Sequence, residues 1–311
     1  MATLAVIAGW GRFPFAVLES AKKLGHRTVV LGLEGEADPE LARHADAFHW
    51  VGIIQLGKMA RLLARENATL AVMAGGVRKE KMFSRFRILR FRPDFTFLRL
   101  WFRALGDKKD ATLLAAFGRF LEGQGARLLP VAEICPELLG PAGPLAGRVA
   151  SDDEERDLAF GYGVARELAR LDIGQTVLVK ERAIIAVEAM EGTDAAIRRA
   201  GELCRRGGFL LVKVARPAQD MRFDVPTIGP GTVDSMAQAG GVAIGYEAGR
   251  TLVLDAAETI ARANARGIAI VGLDAATVAA IEARHRRSTG EARGSLGSLG
   301  AAAEGPQGES S

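Results

Sequence analysis

Short, unbroken apolar runs recur along the chain, each followed by a turn and a helix-length segment. They fall at residues 3–8 (TLAVIA), 28–33 (TVVLGL), 70–74 (LAVMA) and 126–131. Apolar runs without alternation describe strands covered on both faces, as in a parallel sheet flanked by helices. The intervening segments agree. Pro14 suits the first turn of a helix running to Leu24, because its missing N–H would have no partner there, and Gly25 suits its end. Residues 55–67 and 110–124 predict two more helices. The first half is therefore expected to be an α/β domain on a parallel sheet.

The texture then changes. Residues 136–151 (PELLGPAGPLAGRVAS) concentrate proline and glycine and predict an interdomain linker. The acidic run 152–157 opens a helix that ends near Arg170. Residues 176–180 and 183–187 predict a strand pair, 193–206 a helix and 209–214 a strand. A helix at 233–239, short strands at 242–244 and 252–254, a helix at 259–266 and a strand at 268–273 complete a second α/β domain, 152–286. The tail 287–311, rich in Gly, Ser, Ala and Glu, has too little apolar surface to order itself and is expected to be disordered.

Composition narrows the setting. With 49% apolar and 25% charged residues over 311 positions, the chain is an ordinary globular one. No run of 18 apolar residues predicts a membrane span, and the N-terminus reads as a core strand, not a signal peptide. Two distant cysteines, Cys135 and Cys204, fit a reducing compartment, so a cytoplasmic location is expected. The four histidines show no ligand spacing and are expected at the surface. The GxSxG, P-loop and HExxH motifs are absent.

Four segments carry candidate chemistry. Gly9-Trp10-Gly11 follows a strand and precedes a helix, where backbone N–H groups can face a phosphate. Pro14 stands where a dinucleotide fingerprint wants a third glycine, so an ordinary βα turn is the competing account. Glu188, Glu191 and Asp194 cluster after an apolar strand. Such carboxylates hold a divalent cation, or else Thr193 or Asp194 simply caps the next helix. The loop from Lys213 to Gly229 combines Lys213, Arg216 and Arg222 with Gln219, Asp220 and Asp224, the mixture of cations and carboxylates that phosphoryl transfer uses. Residues 82–103 interleave Phe and Arg with a single acid, Asp94. That pattern suits an anionic membrane surface, an acylated ligand or nucleic acid, or else a helix with Phe inward and Arg outward. Much of the net charge of +4 lies in this one segment, so no nucleic-acid partner is expected.

RLDIGQ at 170–175, AVEAMEGTDAAIRR at 186–199, KVARPAQDMRFDVPTIG at 213–229 and GYEAGRTLVLD at 245–255 occur in that order. Together they resemble the UDP-2,3-diacylglucosamine pyrophosphatase family of lipid A biosynthesis, the two-domain α/β type and not the calcineurin-like type. The resemblance implies a Rossmann-like N-terminal domain (1–135), a linker (136–151) and a C-terminal α/β catalytic domain (152–286). It implies Mg²⁺-dependent hydrolysis of the sugar-nucleotide pyrophosphate to UMP and 2,3-diacylglucosamine 1-phosphate. The expected assembly is a homodimer working peripherally at the inner-membrane surface on a lipid-linked sugar nucleotide. The same resemblance places catalysis on Asp224, Asp220, Lys213 and Arg222, and the metal on Asp224, Glu188, Glu191 and Asp194. Substrate contacts fall on Gly9, Gly11, Gly75, Gln175, Thr193, Gln219 and Thr227. A nucleotide-dependent oxidoreductase built on the first turn and a non-catalytic membrane scaffold are the alternatives.

Overall fold

The computed structural model describes residues 1–77, 94, 110–217, 220–223 and 225–300. Residues 82–93 and 95–103, for which membrane or acyl contact is expected, lie outside this set. The chain forms two compact units, Met1–Leu139 with Gln219–Val225, and Gly140–Ala218 with Pro226–Ser311.

The first unit is built on a five-stranded, all-parallel sheet of order β3-β2-β1-β4-β5. Its strands are β1 (Thr3–Ala8), β2 (Arg27–Leu33), β3 (Ala47–Val51), β4 (Leu70–Ala74) and β5 (Arg127–Leu128). The predicted runs form the sheet, while β3, a half-buried edge strand, carries no continuous apolar run. Helix α1 (Phe13–Lys23) buries Pro14, Val17, Leu18 and Ala21, and Gly25 at φ +75° closes it as expected. Helix α2 (Leu56–Arg65) buries Leu56, Met59, Leu62 and Leu63. These join Ala5, Ile7, Val29, Leu31 and Leu121 of α3 (Asp110–Gly123) in one core. The described Asp94 accepts the Gly57 N–H at 2.5 Å, in the first turn of α2.

The expected linker is structured. Helix α4 (Val131–Ile134) and a 3₁₀ turn (Pro136–Leu138) end the first stretch, and β6 (Gly143–Ala146) then enters the second sheet as an edge strand. Glycine makes this possible. Gly140 lies against the Tyr246 ring, whose hydroxyl donates to the Pro141 carbonyl at 2.7 Å, and Gly143 sits at φ +89°. Pro144 is tolerated because an edge strand leaves one side of its backbone unpaired.

The second sheet has the order β6-β13-β11-β9-β7-β8. Strands β9 (Phe209–Lys213), β11 (Gly241–Glu247) and β13 (Ala269–Leu273) are parallel. Strand β7 (Thr176–Lys180) runs antiparallel to β9 and forms the predicted pair with β8 (Ala183–Val187). A separate ribbon joins β10 (Thr227–Ile228) to β12 (Leu252–Val253). Helices α5 (Asp152–Arg170) and α9 (Ala275–Gly300) cover one face, where Leu158, Tyr162 and Ile281 meet Leu210 and Val212. Helices α6 (Thr193–Leu203), α7 (Pro230–Ala239) and α8 (Ala256–Arg266) cover the other, where Ile197, Met236 and Ala263 meet Phe209 and Leu211. The alternation along β9 assigns its side chains to the two faces. Helix α9 continues to Gly300 through residues expected to be disordered.

One histidine expected at the surface, His285, is buried, and His49 is half-buried, joining Arg27 and Arg65 around Glu66. Arg27 donates to Glu66 at 2.8 Å and the His49 ring lies 2.9 Å away. These contacts, led by Arg27, hold the carboxyl down at about 2, against an ordinary value of 4.5. A depressed carboxyl stabilises the fold above pH 4.5, and that contribution is lost as pH falls through 2. Glu66→Gln is therefore expected to melt below the wild type at pH 7, with the gap closing on acidification to pH 2 in thermal melts.

Candidate functional site

In the first unit the strand order reverses at β1, which pairs with β2 on one side and β4 on the other. Crevices for ligands form at the carboxyl ends of strands at such a point. The turns after β1 and β4 are bonded to each other. The Gly9 N–H donates to the Ala74 carbonyl at 2.8 Å and the Trp10 N–H to that of Gly76 at 2.7 Å; the Gly76 N–H returns to Trp10 at 3.1 Å. A Cβ on Gly9 would lie 2.4 Å from the Gly76 oxygen, and one on Gly75 2.6 Å from that of Trp10. Gly9 and Gly75 thus serve the close approach of two backbones. Two of the N–H groups that would face a phosphate are already used, which removes support from the dinucleotide reading. Gly11 lies in the same turn at φ +103°.

The loop at 220–223 belongs to this unit, although the sequence places it among second-half motifs. Arg222 clamps Asp220 through Nε at 2.9 Å and Nη2 at 2.7 Å, and its Nη1 reaches Glu122 of α3 at 3.1 Å. The Arg222 hydrogen bond holds the Asp220 carboxyl below the ordinary range and raises the guanidinium. Phe223 lies beside the guanidinium at 5.4 Å and packs on the first core. Arg222 and Asp220 therefore neutralise one another in this structure. Gln219 and Asp224 lie outside the described residues.

In the second unit the ends of β8, β9 and β11 and the start of β7 come to one edge of the sheet. Register places Thr176 beside Lys213 and Lys213 beside Tyr246, and the Glu188 N–H donates to the Thr176 carbonyl at 2.9 Å. Glu188 and Lys213 are each only 8% exposed. The Thr193 hydroxyl donates to Glu188 Oε1 at 2.8 Å and accepts from Lys213 Nζ at 3.2 Å. A further Lys213 N–H goes to the Thr227 carbonyl at 3.1 Å. Glu188 Oε2 is buried with no hydrogen-bond partner, as is the Gln175 side-chain oxygen.

The other acids of the motif face elsewhere. Glu191 pairs with Arg199 at 2.9 Å and accepts the Ala189 N–H at 3.2 Å; its carboxyl is lowered first by its own backbone N–H. Asp194 accepts the Ser235 hydroxyl at 3.0 Å, tying α6 to α7. Neither Thr193 nor Asp194 caps α6, whose N-cap is Gly192 at φ +86° without a side-chain bond. Among the described residues the acid and histidine ligand atoms that gather within 4.8 Å belong to Asp152, Glu155 and His285. Glu155 there also pairs with Arg284 at 3.0 Å.

One residue of this edge was not singled out from sequence. Glu247, 6% exposed at the end of β11, accepts the Ala215 N–H at 2.8 Å and so fixes the chain just beyond Lys213. Arg250 stands 3.8 Å from Glu247 and donates to the Arg216 carbonyl at 3.1 Å. The acid in GYEAGRTLVLD was the available signal, since an acid ending a buried strand needs a partner. Cys135 is buried and its thiol is pushed up to about 11, so it carries no nucleophile.

These features define a two-unit α/β protein with a buried lysine–threonine–glutamate cluster at the edge of its second sheet. Residues 3–138 match the LpxI N-terminal domain and residues 141–271 the LpxI C-terminal domain. The UDP-2,3-diacylglucosamine pyrophosphatase LpxI of Caulobacter vibrioides is 34% identical over 290 residues, covering 88% of this chain and 98% of the relative. The chain belongs to the LpxI family, as the four ordered motifs indicate. Among solved structures, the biotin carboxylase domain of Hydrogenobacter thermophilus 2-oxoglutarate carboxylase is 15% identical, covering 65% of this chain and 41% of that one with a TM-score of 0.24. An L-amino acid ligase from Bacillus licheniformis is 10% identical, covering 61% and 40% with a TM-score of 0.26. At these scores neither likeness carries an argument.

Gly174 sets the position of Glu188, since a Cβ there would fall 1.8 Å from the Glu188 carbonyl oxygen. Gly174→Ala forces backbone movement and is expected to cost about 1–3 kcal/mol, the usual range for overpacking. Urea titration of the purified variant measures the loss.

Proposed function

We propose that this chain hydrolyses the pyrophosphate bond of UDP-2,3-diacylglucosamine, giving UMP and 2,3-diacylglucosamine 1-phosphate in lipid A biosynthesis. The observation that carries the reading is the match to a pyrophosphatase of that name along nearly its whole length. The site supports it chemically. Lys213 brings a buried ammonium to the sheet edge, where low dielectric strengthens its pull on phosphate oxygens. Thr193 and the Thr227 carbonyl hold that ammonium, and Glu247 fixes the backbone beyond it. The family resemblance places its essential aspartate on Asp224, and the attacking water is assigned to be oriented by the metal or by Asp224.

The donor set fits Mg²⁺. A buried carboxylate oxygen without a hydrogen-bond partner, Glu188 Oε2, is the hard ligand such an ion takes. Glu188 would hold it; Asp224, the other ligand the family resemblance implies, lies outside the described residues, and Glu191 and Asp194 would have to leave Arg199 and Ser235 to join. Bound there, the ion would neutralise charge on the pyrophosphate oxygens. Among the described residues no helix is long and apolar enough to cross a membrane. With a diacylated substrate, peripheral work at the inner-membrane surface, by a cytoplasmic homodimer, completes the proposal.

Purified protein incubated with UDP-2,3-diacylglucosamine is expected to release UMP with Mg²⁺ and none with excess EDTA. Asp224→Ala is expected to lower kcat at least about 10³-fold. Near-normal turnover by that variant would overturn the assignment of Asp224.

A further inference from the structure

The turn after β11 touches both ends of the segment that carries Asp224. Residues 219–225 belong to the first unit, while the residues just before and just after them belong to the second. On the exit side, Glu247 Oε2 accepts the Ala215 N–H at 2.8 Å, and Arg250 Nη2 donates to the Arg216 carbonyl at 3.1 Å. On the return side, the Leu252 N–H donates to the Pro226 carbonyl at 2.8 Å and the Leu254 N–H to that of Ile228 at 2.9 Å, which sets β12 parallel to β10. The turn itself is pinned. The N–H of Gly249, at φ +68°, donates to the Gly140 carbonyl at 2.9 Å, and the Gly140 N–H donates to the Thr251 carbonyl at 2.9 Å. One short stretch, 247–254, therefore grips the chain where it leaves the second unit and where it returns.

The chemistry of the exit grip goes beyond satisfying a backbone group. Ala215 is 3% exposed, so its N–H needs an acceptor, and a neutral oxygen would serve. Glu247 instead brings a carboxylate that is 6% exposed, with the desolvation cost of a buried charge. What the charge adds is a hold on Arg250, whose Nη1 stands 3.8 Å from Glu247 Oε1 while its Nη2 bonds Arg216. Two successive residues, beginning two positions beyond Lys213, are thus held by one acid and its arginine. The acid itself is no phosphate ligand, since one oxygen serves the backbone and its charge repels an anion.

We propose that Glu247 is a positioning residue for the pyrophosphatase reaction: through the Ala215 N–H and Arg250 it clamps the exit of the Asp224-bearing segment, as β12 holds the return at Pro226, and it makes no substrate contact. The proposal rests on the hydrolysis proposed above. Glu247 and Arg250 act on one stretch of backbone, so their losses appear in kcat and overlap.

The test is steady-state kinetics on UDP-2,3-diacylglucosamine with Mg²⁺ for Glu247→Ala, Glu247→Gln, Arg250→Ala and the double variant Glu247→Ala/Arg250→Ala, with thermal melts and timed tryptic cleavage of each. Glu247→Ala is expected to lower kcat about 10–100-fold with KM within about threefold. Glu247→Gln keeps an oxygen for the Ala215 N–H and is expected to return kcat to within about fivefold of the wild type. Arg250→Ala is expected to lower kcat about 3–10-fold, and the double variant to lose less than the product of the two single losses. Cleavage after Arg222, inside the clamped segment, is expected to run about tenfold faster in Glu247→Ala than in the wild type. If Glu247→Ala does not fold, Arg250→Ala, which leaves the Ala215 N–H bonded, carries the test, and unchanged kcat there overturns the proposal. A raised KM with kcat unchanged in Glu247→Ala would make Glu247 a substrate contact and overturn it. Unchanged kinetics with only a lowered melting temperature, cleavage after Arg222 at the wild-type rate, or fully multiplicative losses in the double variant would overturn it too. A wild type that leaves the substrate intact fails the proposed reaction itself, a result distinct from an active wild type matched by Glu247→Ala.

Discussion

A lysine and a glutamate, both nearly excluded from water, share one threonine hydroxyl at the edge of the second sheet. Burying two charges costs several kcal/mol each unless the surroundings compensate, so the neighbouring structure has to hold them closely. Strand β9 delivers Lys213 at its last residue. The β7–β8 hairpin brings Glu188 alongside, and the positive φ of Gly192 turns the chain so that Thr193 meets both. Gly174 permits the backbone contact behind Glu188, and the Glu247 carboxylate anchors the strand exit through the Ala215 N–H. The edge is costly in stability, and in the proposed reaction a desolvated ammonium would act on a phosphate with little competition from water.

The first unit uses its glycines differently. Its two turns at the strand reversal are sealed by three backbone hydrogen bonds, and Gly9 and Gly75 are there because no Cβ fits between the turns. The turn resembles an anion cradle in sequence, yet the N–H groups of Gly9 and Trp10 are spent on the neighbouring turn. The loop holding Asp220 and Arg222 is likewise closed on itself, with Arg222 shared between Asp220 and Glu122. A residue list drawn from motifs thus separates into parts with different duties. Lys213, Thr193, Glu188 and Thr227 meet; Glu191 and Asp194 brace helices; Gly9 and Gly75 brace turns.

Much of the fold was legible in sequence. The runs at 3–8, 28–33 and 70–74 became the central parallel strands because only a doubly covered strand is apolar at every position. Strand β3 escaped because it lies at an edge and is half exposed, and β6 because its glycine and proline read as a linker. The candidate site was legible as a set of motifs and not as an arrangement. Spacing alone put Glu188, Glu191 and Asp194 within seven residues. It did not show that Arg199 and Ser235 would draw two of them away.

The sequence by itself determined the α/β class, the family and most of the candidate residues, though not Glu247, because burial periodicity and ordered motifs are local properties of the chain. Tertiary structure alone decided which of those residues meet. Lys213 and Thr193 are 20 positions apart and Glu247 lies 32 beyond Ala215, and the packing of helix and strands is what brings each pair within hydrogen-bond distance. The same long-range packing assigned the 219–225 segment to the first unit and turned the expected linker into a strand. Which polar groups share a desolvated edge is set by distances through space, and those follow from how the sheet is assembled.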